Sequence, residues 1–428
     1  MTFQKDFLLG ASTAAHQVEG NNIYSDCWAM EHMKNSTYAE PSLDAVDHYH
    51  LYEEDIRLLA GAGLNAYRFS IEWARVQPEE DRFEEAEVEH YRNVIRCCRE
   101  NGVEPIVTLH HFSSPKWLIG KGGWEADSTP EDFARYVRYI MTRLGNELRY
   151  VCTINEANMG VQVAAVAKRY MKQMLAKMAA AKTDGTVQVG MNLEKLLASR
   201  QAAAAAENME VFGVAKIENF TSPRSAHGDE IICQAHMAAR AVIRELAPHV
   251  KVGLTLSLHD IQPVPGGEEL AAKEWNEEFQ HYLPVIQDDD FLGVQNYTRS
   301  QIGPNGTLGV PEGAETTQME YEFYPEGLEH VIRAVAEQYS GELLVTENGI
   351  ATADDSRRIA FICRAMEGVQ HCIEDGIPVK GYCHWSLLDN FEWQKGYAMT
   401  FGLIAVDRKT QARHPKASLA YLGSFRGE

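Results

Sequence analysis

Short apolar runs rich in β-branched residues recur along the chain and alternate with longer stretches whose apolar positions follow a helical period. Nearly continuous hydrophobicity within a run predicts a strand that is buried on both faces, as in a parallel sheet. Eight runs fit this description, at 7–13, 66–71, 104–111, 150–156, 251–257, 291–297, 342–348 and 379–386. The intervening stretches 49–63, 89–102 and 131–145 have helical periodicity and end near glycine, as helices commonly do.

The alternation of eight strands with helices predicts an α/β fold, a closed (β/α)₈ TIM barrel that forms one domain over 1–428. An open doubly wound sheet is the alternative, but no GxGxxG or P-loop motif follows any of the strands. The connection between the fourth and fifth strands, from 157 to about 250, is far longer than an ordinary βα loop. Its alanine-rich segments at 163–182 and 193–207 are strong helix formers, so we expect an extended helical insertion there.

The composition is that of a folded, acidic protein: 428 residues, 45% of them hydrophobic, with a formal net charge of -21. Such a surface repels nucleic acid and anionic membranes, so we expect a small neutral molecule as partner, no nucleic acid and no membrane. No apolar run approaches the ~20 residues of a membrane helix, and no signal-peptide pattern opens the sequence. We therefore expect a cytoplasmic protein; whether it forms a homo-oligomer stays open.

The eight cysteines are scattered along the chain without a CxxC pair. This pattern predicts buried, reduced thiols rather than a disulfide framework or a zinc site. The histidines of "DHYH" (47–50) lack third and fourth ligands at a metal-binding spacing. We expect neither a metal nor another cofactor.

Polar residues cluster where the predicted strands end, in "AAHQVEG", "LHHFSSPKW", "TINEAN", "VQNYTR", "VTENG" and "HWSLLDNFEW". In a barrel, the carboxyl ends of the strands converge on one mouth, which is where such enzymes keep their active sites. The convergence of these segments is a stronger signal than any one residue within them.

Two carboxylates, Glu156 and Glu347, each follow an apolar run, on the predicted fourth and seventh strands. Paired carboxylates across a pocket are what glycoside hydrolysis requires, because one must be protonated to release the leaving oxygen and the other must be ionised. The alternative is that each forms a structural ion pair with a nearby Arg or Lys. The surrounding Asn, Tyr, Trp and His residues favour the catalytic interpretation.

Six motifs, in order along the chain, resemble those of glycoside hydrolase family 1: "FLLGASTAAHQVEG", "RFSIEWARVQP", "TLHHFSSPKWL", "TINEAN", "VTENGI" and "WSLLDNFEW…FGL". They cover both ends of the chain, and only the region 160–250 matches poorly. The resemblance implies a retaining β-glycosidase that works through a covalent glycosyl-enzyme.

The resemblance also implies roles for the residues around the two carboxylates. Glu347 would be the nucleophile and Glu156 the acid/base. Asn155 would bond the sugar 2-hydroxyl, an interaction that strengthens in the transition state. Arg68 and Tyr297 would keep Glu347 ionised and aimed, since a nearby cation lowers the pKa of a carboxyl group.

The resemblance also implies which residues bind the sugar. Gln17, His111 and Glu392 match family positions that bind sugar hydroxyls. Trp385 matches the platform beneath the ring, and Trp393 matches a contact to a further hydroxyl. Trp385 could instead be an ordinary core aromatic. Adjacent strand residues point to opposite faces, so at most one of His110 and His111 faces the pocket. Family members that act on 6-phosphorylated sugars carry a small hydroxyl residue in place of Glu392, so its carboxylate favours unphosphorylated substrates.

Four features depart from the family pattern: Ala157 replaces a proline, Ser113 replaces an acidic residue, Gln295-Asn296 replaces Asn-Tyr, and the alanine-rich stretch replaces the loops that normally shape the aglycone side. None removes a catalytic carboxylate, so we expect an exo-acting enzyme that hydrolyses β-glucosides of small aglycones or short oligosaccharides. A transglycosylating enzyme of the same family and a catalytically silent sugar-binding barrel are the alternatives. Leaving-group specificity is left open by the sequence.

Overall fold

The computed structural model describes residues 2–183 and 193–427, with the side chains at 173, 175–183 and 193–198 left out of the description. Its centre is a closed barrel of eight parallel strands, in the order β1-β8-β7-β6-β5-β4-β3-β2. The strands are β1 (Leu8–Ser12), β2 (Ala66–Ser70), β3 (Glu104–Thr108), β4 (Tyr150–Cys152), β5 (Lys251–Ser257), β6 (Phe291–Gln295), β7 (Glu342–Asn348) and β8 (Val379–Trp385). The predicted TIM barrel is confirmed, and each of the eight apolar runs contains one strand.

Helices follow the barrel strands on the outside. The longer ones are α1 (His48–Gly61), α2 (Glu85–Glu100), α3 (Thr129–Leu144), α4 (Met159–Thr183), α5 (Leu193–Phe212), α6 (Ala226–Leu246), α7 (Glu268–Glu278), α8 (Gly327–Ala336), α9 (Asp355–Glu374) and α10 (Ala417–Gly423). Short α-helical turns lie at Ala15–Val18, Asp26–Glu31, Trp73–Val76, Lys116–Gly120 and Leu283–Ile286, and 3₁₀ turns at Gly123–Glu125, Gly145–Glu147, Gln280–Tyr282 and Trp393–Lys395. Strands Asp260–Pro263, Arg299–Gly303 and Gly306–Thr307 form one small sheet outside the barrel, and Ile404–Val406 pairs with Arg413–Pro415.

The lower part of the barrel is filled by side chains from seven of its strands, which form one buried apolar cluster. Its members are Leu8, Ala66, Ile106, Tyr150, Cys152, Phe291, Leu344 and Cys383. On β5 a glycine makes room for the cluster, since a Cβ at Gly253 would lie 2.9 Å from the Phe291 ring. This layer makes the barrel a packed core rather than a pore, so a cavity at the mouth does not continue through to the other end.

Three of the described helices lie between β4 and β5. Helix α4 starts at the barrel mouth, directly after the β4 loop, and α6 packs against α3 as an ordinary barrel helix does. Helix α5 is tied to the first βα connection, where the Glu207 carboxylate accepts hydrogen bonds from the backbone N–H of Lys34 and the amide of Asn35. The expected helical insertion also covers 184–192, which lie outside the described residues.

Three strands end two to four residues earlier than the sequence pattern predicts. The strand predicted at 150–156 ends at Cys152, the one at 104–111 ends at Thr108, and the one at 291–297 ends at Gln295. The extended conformation stops because the chain turns sharply at the mouth, where Phe112 and Glu156 have φ of 66° and 45°. The polar residues assigned to these strand ends therefore lie on the loops that follow them.

All eight cysteines are free, and five of them are fully or almost fully buried on the barrel strands and helices, at Cys27, Cys98, Cys152, Cys372 and Cys383. Within 2–183 and 193–427, no helix has the length and apolar character needed to cross a bilayer. The described side chains likewise contain no cluster of three or more His, Cys, Asp or Glu residues arranged to hold a metal ion.

Candidate active site

A cavity of about 490 Å³ opens at the mouth of the barrel. Seven of the ten residues selected from the sequence line it: His111, Glu156, Tyr297, Glu347, Trp385, Glu392 and Trp393. The other three, Gln17, Arg68 and Asn155, are completely buried and contact residues of the cavity wall. The structure therefore brings all ten together at one site.

Glu347 lies near the end of β7 and is held from two sides. The pairing of β7 with β6 shifts between Val345 and Glu347, a bulge that re-aims the side chain toward the cavity. The Arg68 guanidinium contacts Oε1 at 2.6 Å, and the Tyr297 hydroxyl donates to Oε2 at 2.7 Å. Each carboxylate oxygen thus has its own donor, which fixes the plane of the carboxyl group.

Glu156 occupies a left-handed backbone conformation, with φ of 45°. Such a conformation costs a non-glycine residue about 1–3 kcal/mol, and its surroundings must hold it there. Here its N–H donates to the Thr255 hydroxyl at 2.9 Å, and the N–H of Ala157 donates to the Thr255 carbonyl at 3.0 Å. A proline at 157, as in the family pattern, could not donate this second bond.

The charges nearest to the two carboxyl groups differ: Glu156 lies near the carboxylates of Glu347 and Glu392, whereas Glu347 is paired with the Arg68 guanidinium. Burial raises the pKa of Glu156 well above its ordinary value, and the charges of Glu347 and Glu392 raise it further. Burial also raises the pKa of Glu347, but Arg68 and the Tyr297 hydroxyl lower it again, so its net rise is smaller. Glu156 is therefore the carboxyl group that binds a proton more tightly.

Asn155 is oriented by four neighbours. Its Oδ1 accepts hydrogen bonds from Arg68 at 2.5 Å and from the amide of Gln295 at 2.8 Å, with the Thr255 hydroxyl at 3.3 Å. Its Nδ2 lies 3.1 Å from Nε2 of His111. Burial and the Arg68 charge lower the pKa of His111 well below its ordinary value, so the imidazole is neutral and its Nε2 can accept from Asn155.

Gln17 and Glu392 form a second polar pair in the site. The amide nitrogen of Gln17 donates to the carbonyl of Phe391 at 2.8 Å and to Oε2 of Glu392 at 3.3 Å. Its Oε1 has no protein partner within the described residues and is free to accept from a ligand. Burial and the charge of Glu347 raise the pKa of Glu392 to about 8, so at pH 7 its carboxyl group is mostly protonated.

Aromatic rings form a continuous wall in the cavity. Trp385 stacks with His111 at a centroid separation of 5.6 Å, and Trp393 stacks with the buried His16 at 5.7 Å. His110 lies outside the cavity, where its ring packs on Trp124. Of the two adjacent histidines, His111 is therefore the one that lines the cavity, although both lie beyond the end of β3 and not on the strand.

Comparison with known proteins gives the family. The model of the family described as "Glycosyl hydrolase family 1" matches residues 1–427. The chain belongs to this family.

Individual relatives span nearly the whole chain. The family 1 chain is similar to the β-glucosidase of Agrobacterium sp. (strain ATCC 21400), with 29% identity over 97% of this chain and 93% of the relative. It is also similar to the 6-phospho-β-galactosidase of Lacticaseibacillus casei, with 27% identity over 98% of this chain and 97% of the relative. Among solved structures, β-glycosidase BGL167 superposes with a TM-score of 0.86 and 42% identity, covering 99% of this chain and 96% of that one. These matches establish a glycoside hydrolase.

The family 1 site also contains residues that the sequence reasoning missed. Thr255 bonds the backbone of Glu156, and Ser257 lines the cavity and donates a hydrogen bond that partly offsets the pKa rise of Glu156. Both lie on β5, for which no polar end was noted, although their spacing of two residues places them on one face of the strand. Other missed lining residues come from loops, with no strand pattern to reveal them, among them Tyr38, Phe112, Thr221, Met319, Tyr321 and Phe401. Helices supply further ones, with Cys27 on the turn Asp26–Glu31 and Met159, Gln162 and Val163 on α4.

Ser113, where the family pattern has an acidic residue, is part of a buried polar cluster behind the site. Its hydroxyl donates to the Glu72 carboxylate at 3.2 Å and accepts from the amide of Asn22 at 3.3 Å. Burial raises the pKa of Glu72 to about 7, with the nearby His16 opposing the rise. A carboxyl group is thus present at this point, supplied by the second βα loop rather than by position 113.

Proposed function

We propose that this family 1 enzyme is a retaining, exo-acting β-glycosidase that hydrolyses β-glucosides through a covalent glycosyl-enzyme. The observation that carries the proposal is the unequal treatment of the two carboxyl groups. Glu347 has a guanidinium on one oxygen and a phenol on the other, whereas no described cationic side chain forms an ion pair with Glu156. A retaining mechanism needs this difference, since it requires one ionised nucleophile and one protonated acid.

In the first step, a carboxylate oxygen of Glu347 attacks the anomeric carbon while Glu156 gives its proton to the glycosidic oxygen. The bond between the anomeric carbon and that oxygen breaks, the aglycone leaves as a neutral alcohol, and an ester joins the sugar to Glu347. Forming the ester removes the negative charge that raised the pKa of Glu156, so its pKa falls and it stays ionised.

In the second step, the Glu156 carboxylate takes a proton from water as the water oxygen attacks the anomeric carbon from the face that the aglycone left. The ester bond breaks, Glu347 is regenerated as a carboxylate, and Glu156 is again protonated. Two inversions give net retention, and atoms and charges balance without a cofactor.

The same assignment gives roles to the remaining polar groups. Asn155, with its Oδ1 saturated by Arg68 and Gln295, presents its Nδ2 side to the sugar 2-hydroxyl. The free Oε1 of Gln17 and the Glu392 carboxyl group accept from hydroxyls farther round the ring. Trp385 supplies the apolar surface on which the sugar face packs, and Trp393 contacts a further hydroxyl.

The test is product stereochemistry together with a substrate panel. Proton NMR during hydrolysis of p-nitrophenyl β-glucoside should show the β-anomer of glucose first, with the α-anomer growing in only by mutarotation. The α-anomer as first product would contradict a retaining mechanism. A protein that binds glucose but is inert toward every aryl glycoside would be the silent barrel, and alkyl glucosides formed at the expense of glucose when alcohols are added would make it a transglycosylase.

Glu392 predicts a pH-dependent preference for unphosphorylated sugars. At pH 7 the preference rests mainly on steric and hydrogen-bonding fit, because a pKa of about 8 leaves the Glu392 carboxyl group mostly neutral. Above pH 8 the group is charged and repels a 6-phosphate, so the ratio of kcat/KM for p-nitrophenyl β-glucoside over its 6-phosphate should rise by about 10-fold or more between pH 6.5 and 9. In Glu392→Ser the ratio should not change over this range. A wild-type ratio independent of pH, or a preference for the 6-phosphate, would contradict the assignment.

We also propose that the enzyme works inside the cell. The support is the set of eight free cysteines, most of them buried, which a reducing compartment preserves.

A further inference from the structure

A second groove, of about 460 Å³, continues outward from the catalytic cavity. Gln162, His259, Thr298 and Tyr321 line both spaces, so the groove is a continuation of the cavity rather than a separate pocket. Each space alone falls within the roughly 300–1,000 Å³ of small-molecule sites. Because it adjoins the Glu156 side of the cavity through Gln162 on α4, the groove is placed to receive the leaving group rather than the sugar.

Its walls come from parts of the chain that the family motifs do not cover. One wall is a face of α4, where Val161, Ala165 and Arg169 follow one another at a spacing of four residues. The opposite wall is the turn after the strand Arg299–Gly303, and the floor includes the acidic end of α7. At the outer end Arg169 bridges the walls, since its guanidinium contacts Thr307 Oγ1 at 2.6 Å and Glu274 at 3.2 Å.

Most of the charged groups in the groove are paired: among its described lining carboxylates only Glu320 forms no ion pair, and Glu277 pairs with Lys273 outside the groove. Besides the Arg169 bridge, the Arg299 guanidinium bonds both oxygens of Glu322 at 2.8 Å. The His259 imidazole contacts the Glu278 carboxylate at 2.9 Å, and this charge raises the pKa of His259. The donors and acceptors of these ion pairs are therefore already engaged and do not clamp sugar hydroxyls.

The two lips of the groove are formed by exposed apolar side chains. Val166 on α4 is 55% exposed, and it faces Leu308 and Val310 of the opposite turn, which are 46% and 40% exposed. Tyr321 is the only Phe, Tyr or Trp among the described residues that line the groove. A row of sugar units packs best on several aromatic faces. Three large apolar side chains that are exposed to solvent around a cleft indicate a binding surface.

We propose that this groove binds the distal part of an elongated, neutral and apolar aglycone, so that the enzyme acts on alkyl-, aryl- or terpenoid-type glucosides in preference to glucose oligomers. The inference rests on the proposed β-glucosidase activity and adds the class of leaving group to it. Val166 and Leu308 are the specificity-determining residues, since they form the two apolar lips of the groove.

The test compares butyl and octyl β-glucoside, used below the concentration at which the latter forms micelles. The two leaving alcohols have the same acidity, so the chemical step is held constant and only binding of the longer chain differs. We expect wild-type kcat/KM for the octyl glucoside to exceed that for the butyl glucoside by about 10-fold or more, since each methylene in an apolar site adds affinity. In the Val166→Asp/Leu308→Asp variant the ratio should fall to about one, with butyl glucoside and cellotriose turned over as in the wild type.

Met209→Asp/Met237→Asp is the matched control, because these side chains are 52% and 39% exposed and lie outside both cavities. It adds the same charge and should keep the wild-type ratio. An octyl advantage that is absent in the wild type, or that survives in the groove variant, would overturn the inference, as would an equal loss of cellotriose hydrolysis. Failure of the proposed activity itself has a different result, since the wild type would then release no glucose from butyl or p-nitrophenyl glucoside.

Discussion

Glu347→Ala is expected to abolish hydrolysis of p-nitrophenyl β-glucoside, lowering kcat by a factor on the order of 10⁶, the scale seen when a covalent nucleophile is removed. Without the carboxylate no glycosyl ester can form, and Arg68 and Tyr297 are left aimed at an empty space beside the anomeric carbon. Steady-state release of p-nitrophenol measures the loss, and a thermal melt checks that the variant is folded.

Azide distinguishes loss of the nucleophile from general damage to the site. The cavity left by the shortened side chain should admit the anion, which the Arg68 guanidinium attracts, and a single displacement then gives α-glucosyl azide. Glu342→Ala is the matched control: Glu342 begins the same strand, pairs with Lys251 below the barrel core, and its loss should leave kcat within about twofold. Unaltered activity in Glu347→Ala, or rescue that gives the β-azide, would contradict the assignment.

The fold was predictable from sequence because a parallel barrel buries both faces of every strand. That burial imposes eight nearly continuous apolar runs, and the polar residues that follow them mark the mouth. Short motifs then selected Glu156, Glu347 and their partners without knowledge of the fold. The structure places all ten selected residues in or directly behind one cavity.

The positions of the strand ends and the conformations of the loops could not be predicted from the sequence, because hydrophobicity does not encode where the backbone turns. Glu156 follows an apolar run but lies beyond β4, in a conformation fixed by hydrogen bonds to Thr255 from a strand about a hundred residues later. Such a partner has no local signal. The outer groove could not be predicted from the sequence either, since its walls meet only when α4 and the turn after Arg299–Gly303 are brought side by side by the fold.

The charge of Glu392 could not be predicted from sequence either. A carboxyl group at that position suggested a fixed negative charge that would repel a sugar phosphate. Burial and the neighbouring Glu347 instead raise the pKa of Glu392 to about 8. The electrostatic part of the discrimination is therefore weak at neutral pH.

Glu156→Ala is expected to act selectively on substrates that need a proton for departure of the aglycone. For alkyl β-glucosides kcat/KM should fall by about 10²–10⁴-fold, the usual contribution of a general acid. For 2,4-dinitrophenyl β-glucoside the first step needs little protonation, so the glycosyl ester should form rapidly and a burst of dinitrophenol should precede slow hydrolysis. Rapid-quench or stopped-flow measurement of the burst separates the two steps.

The same variant tests the electrostatic origin of the acid/base role. In the wild type, the basic limb of the kcat/KM profile reports deprotonation of the acid, whose pKa is raised by burial and by the charges of Glu347 and Glu392. Removing Glu156 should remove that limb, and azide should now attack the ester from the aglycone side and give β-glucosyl azide, opposite to the product from Glu347→Ala. Equal losses for alkyl and dinitrophenyl glucosides, or an unchanged basic limb, would show that Glu156 is not the acid. The two variants thus distinguish the carboxyl groups by opposite stereochemistry, a result that a merely structural role for either one does not produce.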